Sequence, residues 1–401
     1  MAAIDDHTSK YGITRNVFVM GLISFFNDIG SEMIYPIIPI FLTSFLGVSV
    51  AIVGVIEGIA ESTSSILRVI SGWLSDRTQK RKPFVLAGYA FSALSKLFLA
   101  AAASWPMVLA ARFIDRFGKG TRTSARDALI TESSLEINRG KAFGFHRALD
   151  TGGAVAGPLL ALLFLKLFTS NYRLIFLIAF IPSFIGLLLL IFFVQESKKI
   201  SYQTAVTFKM SDLNTSFRIF LFINLIFAVG NSSDAFLILR AQNLGLSVGL
   251  TVFAYVLFNF TYAVFSLPAG IISDRIGPRI VMAGGFLLFA AVYILFGVVG
   301  KAIYMWVLFP VYGIYMALTE GIGKAYISQL VPSEKSGTAF GLYQTYIGIC
   351  TFLASFIAGL LWVQINPRAP FIFGGITAVL SALFFLVWNG ASKFRTLRWV
   401  R

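Results

Sequence analysis

A chain of 401 residues with 57% hydrophobic and only 13% charged residues, and a mean hydropathy of +0.81, is excluded from the soluble globular class. A net charge of +15 would suggest nucleic acid in a soluble protein. Here the surplus Lys and Arg lies in short loops between apolar runs, where it sets orientation and meets anionic lipid headgroups, so a nucleic-acid partner is set aside.

The first residues, MAAIDDHTSK, are polar and lack a signal-peptide pattern; they read as a short cytoplasmic tail. Twelve candidate spans follow: Val17–Ser44, Ser49–Ser75, Phe84–Ala103, Pro106–Thr131, Gly140–Lys166, Tyr172–Gln195, Asn214–Arg240, Val248–Ser273, Ile280–Val299, Ala302–Leu330, Gly337–Val363 and Pro370–Asn389. Runs of about 20 residues or more suit helices, whereas barrel strands are shorter and alternate. In lipid every backbone polar group needs an internal partner, which helices supply. The expected fold is therefore an all-α integral membrane protein. A single cysteine, Cys350, lies in an apolar run and leaves no intrachain disulfide framework.

One side of the chain collects Lys80, Arg81, Lys82, Arg139, Lys141, Lys198, Lys199, Lys209, Arg275, Arg279, Lys335, Lys393, Arg395, Arg398 and Arg401; the other has Lys166, Arg173, Lys301 and Arg368. The positive-inside rule then places both termini in the cytoplasm of a plasma (inner) membrane protein. The one long polar interruption divides the chain into residues 1–195, a linker at 196–213, and residues 214–401, each flanking part holding six spans. The halves look like copies: G-W-L-S-D-R at Gly72–Arg77 recurs as G-I-I-S-D-R at Gly270–Arg275, G-K-A-F-G at Gly140–Gly144 as G-T-A-F-G at Gly337–Gly341, and L-G-V-S-V at Leu46–Val50 as L-G-L-S-V at Leu244–Val248. Three matches in one register make chance an unsatisfactory explanation, and parallel repeats of this kind belong to transporters whose halves rock about a central site.

With these motifs in view, the chain resembles the major facilitator superfamily over essentially its whole length, in particular its drug/metabolite:proton antiporter branch. Gly72-x-x-x-Asp76-Arg77, followed by Lys80-Arg81-Lys82, is similar to that family's signature loop, and Gly270-x-x-x-Asp274-Arg275-x-Gly277-x-Arg279 is closer still. The resemblance implies gating latches at Gly72, Asp76, Arg77, Gly270, Asp274 and Arg275, with Asp127 placed as a carboxylate partner. Arg116-x-x-Lys119-Gly120 resembles the family's proton-coupling motif, with Lys119 where Gln is frequent and Arg122 where a small residue is frequent. Gly153-x-x-x-Gly157-Pro158 is similar to the antiporter motif; the small pair permits close helix approach and the proline a bend. The small residues usual after that proline are absent. The resemblance also implies two pseudo-symmetric six-helix bundles and a monomer.

Charges in membrane segments are expensive and mark pathways or partners. Helical spacing puts Asp115, Lys119, Arg122 and Arg126 on one stripe, with Arg112 and Arg116 alongside. His146 and Asp150 share a face beside Arg147; Glu57 and Glu61 share another, extended by Arg68; Asp28 and Glu32 share a third. An Arg–Asp tie of Asp115 with Arg112 or Arg116, a solvated vestibule position for Glu57 and Glu61, and a hydrogen-bonding rather than titrating His146 all stand as alternatives. Asp28, Glu32, Asp115, His146 and Asp150 are the proton-coupling candidates. Arg116, Lys119, Arg122, Arg126, Arg147, Asn231, Asp234, Glu320, Lys324, Tyr343 and Gln344 are the candidates for a solute cavity. Clustered Arg groups favour an anionic, zwitterionic or chelating organic solute.

The expectation is a secondary transporter working by proton-coupled (or sodium-coupled) alternating access, exporting its solute by antiport. The alternative is a symporter importing a polar metabolite or siderophore-like chelate. An enzyme or receptor is disfavoured: the histidines are only His7 and His146, no Walker loop is present, and neither a cofactor nor a metal is called for.

Overall fold

The computed structural model describes residues 13–135, 138–168, 171–196, 214–331 and 336–388. The linker at 197–213, Lys198, Lys199, Lys209, Lys335, His7 and the basic C-terminal residues Lys393, Arg395, Arg398 and Arg401 lie outside the described residues. Among the described residues every regular element is a helix. In the first half it forms α1 (Arg15–Ile34), α2 (Val50–Thr78), α3 (Lys82–Ala100), α4 (Trp105–Glu132), α5 (Arg139–Leu167) and α6 (Tyr172–Phe193). In the second half it forms α7 (Thr215–Gly230, resuming as Ala235–Asn243), α8 (Val248–Ile276), α9 (Pro278–Val298), α10 (Met305–Leu330), α11 (Ser336–Gln364) and α12 (Ala369–Val387). Among the described residues 11 helices are long and apolar enough to cross a membrane. The twelfth, α4, has its apolar stretch interrupted by Arg112, Asp115, Arg116, Lys119 and Arg122.

The first helix of each half breaks at the same place. In α1 the prolines Pro36 and Pro39 lack the amide hydrogens a helix needs, and the chain turns at 35–37 before resuming as Ile38–Ile40 and the wider coil Phe41–Phe45. In α7 the break is at Asn231-Ser232-Ser233-Asp234, whose short polar side chains compete for backbone partners. The loops that follow also match. Gly47 (φ 66°) and Gly245 (φ 94°) take up left-handed conformations, and Ser49 and Ser247 cap α2 and α8 by accepting from the amides of Ala51 (3.1 Å) and Leu250 (3.4 Å).

Packing repeats as well. α1 lies on α5 and α6, α2 on α4, and α3 on α4 and α6; six helices later, α7 lies on α11 and α12, α8 on α10, and α9 on α10 and α12. The halves meet along α2–α11, a broad seam, and along α5–α8, a narrower one. Glycines make the broad seam possible: a Cβ on Gly58 would stand 3.0 Å from the Phe352 carbonyl oxygen, and one on Gly359 would stand 2.9 Å from Cα of Ala51.

The two cores differ in chemistry. The second half is built on stacked rings, including Phe227–Phe286 at 4.1 Å and Phe289–Tyr293 at 3.9 Å between centroids. Such pairs contribute about 0.5–1.5 kcal/mol each beyond their buried area. The first half buries charge instead. One face of the bundle carries the basic loops and ties them down: Asn16 on α1 donates to Ser133 (3.2 Å) after α4 and to the Gln195 carbonyl (3.0 Å) after α6. This is the basic-loop face; the loops at 46–49 and 244–247 lie on the opposite face.

Candidate functional site

The charged helix α4 is neutralised chiefly by α2. Arg112 donates from Nε (3.0 Å) and Nη2 (2.7 Å) to the two oxygens of Glu57, a bidentate pair with Glu57 only 1% exposed. One turn on, Arg116 pairs with Glu61 at 3.0 Å. Both guanidinium groups lie over the Tyr35 ring, at 5.5 and 5.9 Å from its centre. Asp115 sits between them, 4.0 Å from each. The interhelical ties are thus Arg112–Glu57 and Arg116–Glu61, and Asp115 is a buried counter-charge shared by both arginines. Glu57 does not face a solvated vestibule.

Arg122 turns to α3, donating to Ser92 at 2.5 Å with its guanidinium 4.6 Å from the Tyr89 ring centre. Arg126 pairs with its neighbour Asp127 at 2.9 Å. Arg122 thus reaches into the α3–α4 contact, and Arg126 is held by a residue of its own helix. Lys119 lies in the field of Glu61, Glu32 and Asp28.

The glycine motif of α5 sets the next layer. A Cβ on Gly157 would stand 2.7 Å from the Ile29 carbonyl oxygen, and one on Gly153 would stand 3.1 Å from Cβ of Asp28. α1 and α5 are therefore in backbone contact around the buried Pro158. That contact places Asp28 of α1 and Asp150 of α5 in one layer. Ser24 donates to Asp150 at 2.7 Å, Asn27 donates to Asp28 at 3.2 Å, and Arg147 pairs with Asp150 at 3.5 Å. His146 is buried one turn away, its Nε2 without a hydrogen-bond partner among the described residues.

Four contacts join the halves through polar side chains. Tyr35 lies 3.3 Å from Ser233, its counterpart 198 residues on, and Ser233 donates to Glu57 at 3.3 Å. Tyr255 donates to Glu32 at 3.0 Å. Arg147 donates to the Tyr262 hydroxyl (2.8 Å), which donates to Glu320 (2.6 Å). In the second half Asp234 accepts from Tyr312 at 2.7 Å, Asn231 donates to Tyr315 at 3.3 Å, and Tyr343 donates to Asn224 at 3.4 Å. A cavity of about 270 Å³ opens here, lined by Asn231, Glu320, Lys324, Tyr343 and Gln344, and by Arg68 reaching in from the first half.

The family model of the Major Facilitator Superfamily matches residues 20–228 and 219–396. This chain belongs to the major facilitator superfamily. An uncharacterized MFS-type transporter of Methanocaldococcus jannaschii is 38% identical over 382 residues, covering 93% of this chain and 95% of the relative. Among solved structures, a POT family transporter in complex with 5-aminolevulinic acid superposes with a TM-score of 0.80 at 13% identity, covering 95% of this chain and 97% of that one. The D-xylose-proton symporter superposes with a TM-score of 0.73 at 15% identity, covering 94% and 97%. Likeness at these identities is one of fold.

As a major facilitator, the protein is a membrane transporter, and its two signature loops differ in state. In the first, Arg81 joins Asp76 (2.6 Å) to Glu132 (3.0 Å), while Glu196 accepts from the amides of Arg81 and Lys82 (2.8 and 3.0 Å). Glu132, not Asp127, is the distant carboxylate drawn in, because Asp127 is taken by Arg126. Arg77 lies over the Trp73 ring at 5.5 Å, outside this cluster, and Gly72 lets α2 approach Ser124. In the second loop Asp274 and Arg275 are exposed, and a Cβ on Gly270 would meet nothing within 4 Å. Sequence reasoning missed several functional neighbours: Lys96, Tyr255, Tyr262 and Ser233. Lys96 is fully buried in α3 and donates to Ser31 (3.2 Å) and to the Ser92 carbonyl (2.8 Å). A lone lysine in an apolar run was signal enough to find it. Tyr255 is 198 residues from Glu57, so the repeat pointed to it.

Proposed function

We propose that this major facilitator is a secondary active transporter that couples proton movement to export of a small organic solute across the plasma (inner) membrane. Both termini are cytoplasmic and the chain acts as a monomer. Residues 1–195 and 214–401 rock about the central cavity, with Gly72, Asp76, Arg77, Gly270, Asp274 and Arg275 tuning the equilibrium. The observation that carries the coupling is the Asp28–Asp150 pair. These two acids, placed together at the α1–α5 contact where Ser24 of α1 reaches Asp150 at 2.7 Å, are positioned to take up and release a proton. Glu32 and Arg147, one turn away on the same helices, reach across to the second half. Gain or loss of that proton therefore changes charge beside contacts that differ between the two states, which is what coupling requires. In this orientation the Tyr35–Ser233–Glu57 contacts close the outer side.

Purified protein in liposomes, with an imposed pH gradient and a panel of anionic, zwitterionic and cationic solutes, tests this. Solute-dependent proton flux is expected in the wild type and is abolished by Asp28→Asn, while solute-for-solute exchange continues. The sign of the gradient that drives uptake separates antiport from symport. Solute transport with no proton movement in the wild type, or proton flux unchanged in both Asp28→Asn and Asp150→Asn, would sink the coupling.

A further inference from the structure

The arginines of the first half are matched with some regularity: Arg112 with Glu57, Arg116 with Glu61, Arg126 with Asp127 and Arg147 with Asp150. Among the described residues Arg122, on Ser92, and Arg77, over the Trp73 ring, have no carboxylate partner, and neither does Arg68, which alone of the three borders the cavity. Arg68 sits on α2, two turns beyond Glu61, and its guanidinium has no carboxylate within 4.0 Å among the described residues. Its Nε is buried with no hydrogen-bond partner. Its backbone carbonyl accepts from Ser124 at 2.8 Å and from Ser71 at 3.4 Å. A buried donor left unpaired is costly, so its retention points to a partner that comes and goes.

Arg68 borders the 270 Å³ cavity together with Glu320 and Lys324 of α10. Glu320 is already engaged, accepting from Tyr262 at 2.6 Å and standing 3.9 Å from Lys324. Lys324 and Glu320 cancel, and Arg68 leaves the cavity with one uncompensated positive charge. In a site walled by lipid-embedded helices, a bound solute of charge −1 restores neutrality, whereas a cation adds to the excess and a zwitterion leaves it in place. The apolar part of the wall is aromatic: Phe227, Phe286, Tyr315 and Tyr343 border the cavity, which suits a solute that carries a ring. The volume corresponds to about nine waters at ~30 Å³ each, room for a solute of roughly ten to a dozen non-hydrogen atoms. Asn231 and Gln344 offer amides to a polar substituent on the ring.

We propose that this cavity is the solute site and that it selects a small monoanion, a carboxylic acid carrying a flat ring, with the acid group held bidentately on Arg68. This rests on the reading of the chain as a solute transporter and narrows its substrate class. The matched probes are 4-hydroxyphenylacetate (anion), tyrosine (zwitterion), tyramine (cation) and tyrosol (neutral), which share a ring. Binding to the purified full chain is measured by calorimetry.

The anion is expected to bind at least about tenfold more tightly than the other three. Arg68→Gln should erase that preference while leaving the weak tyrosol affinity unchanged, and Arg68→Lys should restore part of it. Retention of tyrosol affinity and of the unfolding midpoint shows that the variant is folded. The proposal is overturned if the anion shows no binding at millimolar concentration, if tyramine or tyrosine binds as well as the anion, or if Arg68→Gln leaves anion affinity intact. Anion binding without proton movement would keep the site and overturn the coupling. Proton-coupled movement of a cation would do the reverse.

Discussion

Ser233→Ala isolates the contact on which the closed outer side depends. Ser233 donates to Glu57 at 3.3 Å and accepts from Tyr35 at 3.3 Å, so its hydroxyl links α1, α2 and α7 across the two halves. Removing it strips one hydrogen-bond partner from the buried Glu57, which keeps its two bonds from Arg112, and one from the half-buried Tyr35 hydroxyl in the closed state. In the open state both groups meet water and lose nothing. An unsatisfied buried polar group costs about 1–3 kcal/mol, and at 3.3 Å these bonds are long, so the low end applies, about 1–1.5 kcal/mol in total. That corresponds to a five- to tenfold shift of the equilibrium, roughly, toward the state open on this face. The assay is a distance measurement between spin labels at Ser44 and Ile303, one in each half at the opposite face, in a Cys350→Ser background. Both positions are exposed. The variant should gain a longer-distance population that the wild type holds at a few per cent or less. Superimposable distance distributions would show that the seam is held elsewhere, along the α2–α11 glycines, and that this hydroxyl is incidental.

The Arg112–Glu57 pair should behave as a buried ion pair: Glu57→Gln or Arg112→Met alone is expected to cost ~3–5 kcal/mol, and the double variant much less than the sum. Thermal unfolding in detergent checks this, and additive losses would contradict it. Tyr262→Phe removes the hydroxyl that joins Arg147 to Glu320. Faster hydrogen exchange over residues 143–150 and 258–266 is expected, on the order of tenfold for a charge-assisted bond; unchanged exchange would mean the bridge carries no closure energy.

Much of the fold was legible because lipid leaves the chain few options. The twelve spans, the helix state and the duplicate halves follow from apolar run length and from motifs in register. The L-G-V-S-V match, for instance, is a left-handed glycine followed by a helix cap. What sequence could not supply was partner choice. Helical spacing places Arg122 and Arg126 on the same stripe as Lys119, yet nothing in that spacing says that Arg122 meets Ser92 and Arg126 meets Asp127. Glu57 reads equally as a solvated or a buried acid until Arg112 is seen opposite it. Hydroxyl groups were the least legible. Tyr255, Tyr262 and Ser233 bridge the halves, but in a chain with 14 tyrosines nothing local distinguishes a bridging phenol from a packing ring. The unpartnered Nε of Arg68 at the cavity is likewise visible only in the folded arrangement.

The dependence of α4 on α2 has a consequence for how the protein is made. Each arginine or lysine near the middle of a nascent helix costs about 2.5–3.5 kcal/mol on entering the membrane, so α4, with Arg112, Arg116, Lys119 and Arg122, would not leave the translocon for lipid alone. Its neutralising acids, Glu57 and Glu61, are synthesised first, on a helix that partitions readily. For the pair to form during synthesis, α2 has to linger at the lateral exit until α4 emerges some fifty residues later, and the two then enter the bilayer as one unit. Order of synthesis is therefore part of the stability of this bundle. A circular permutant that begins at α3 presents the arginines before the glutamates, and its α4 should be found stranded on the wrong side of the membrane.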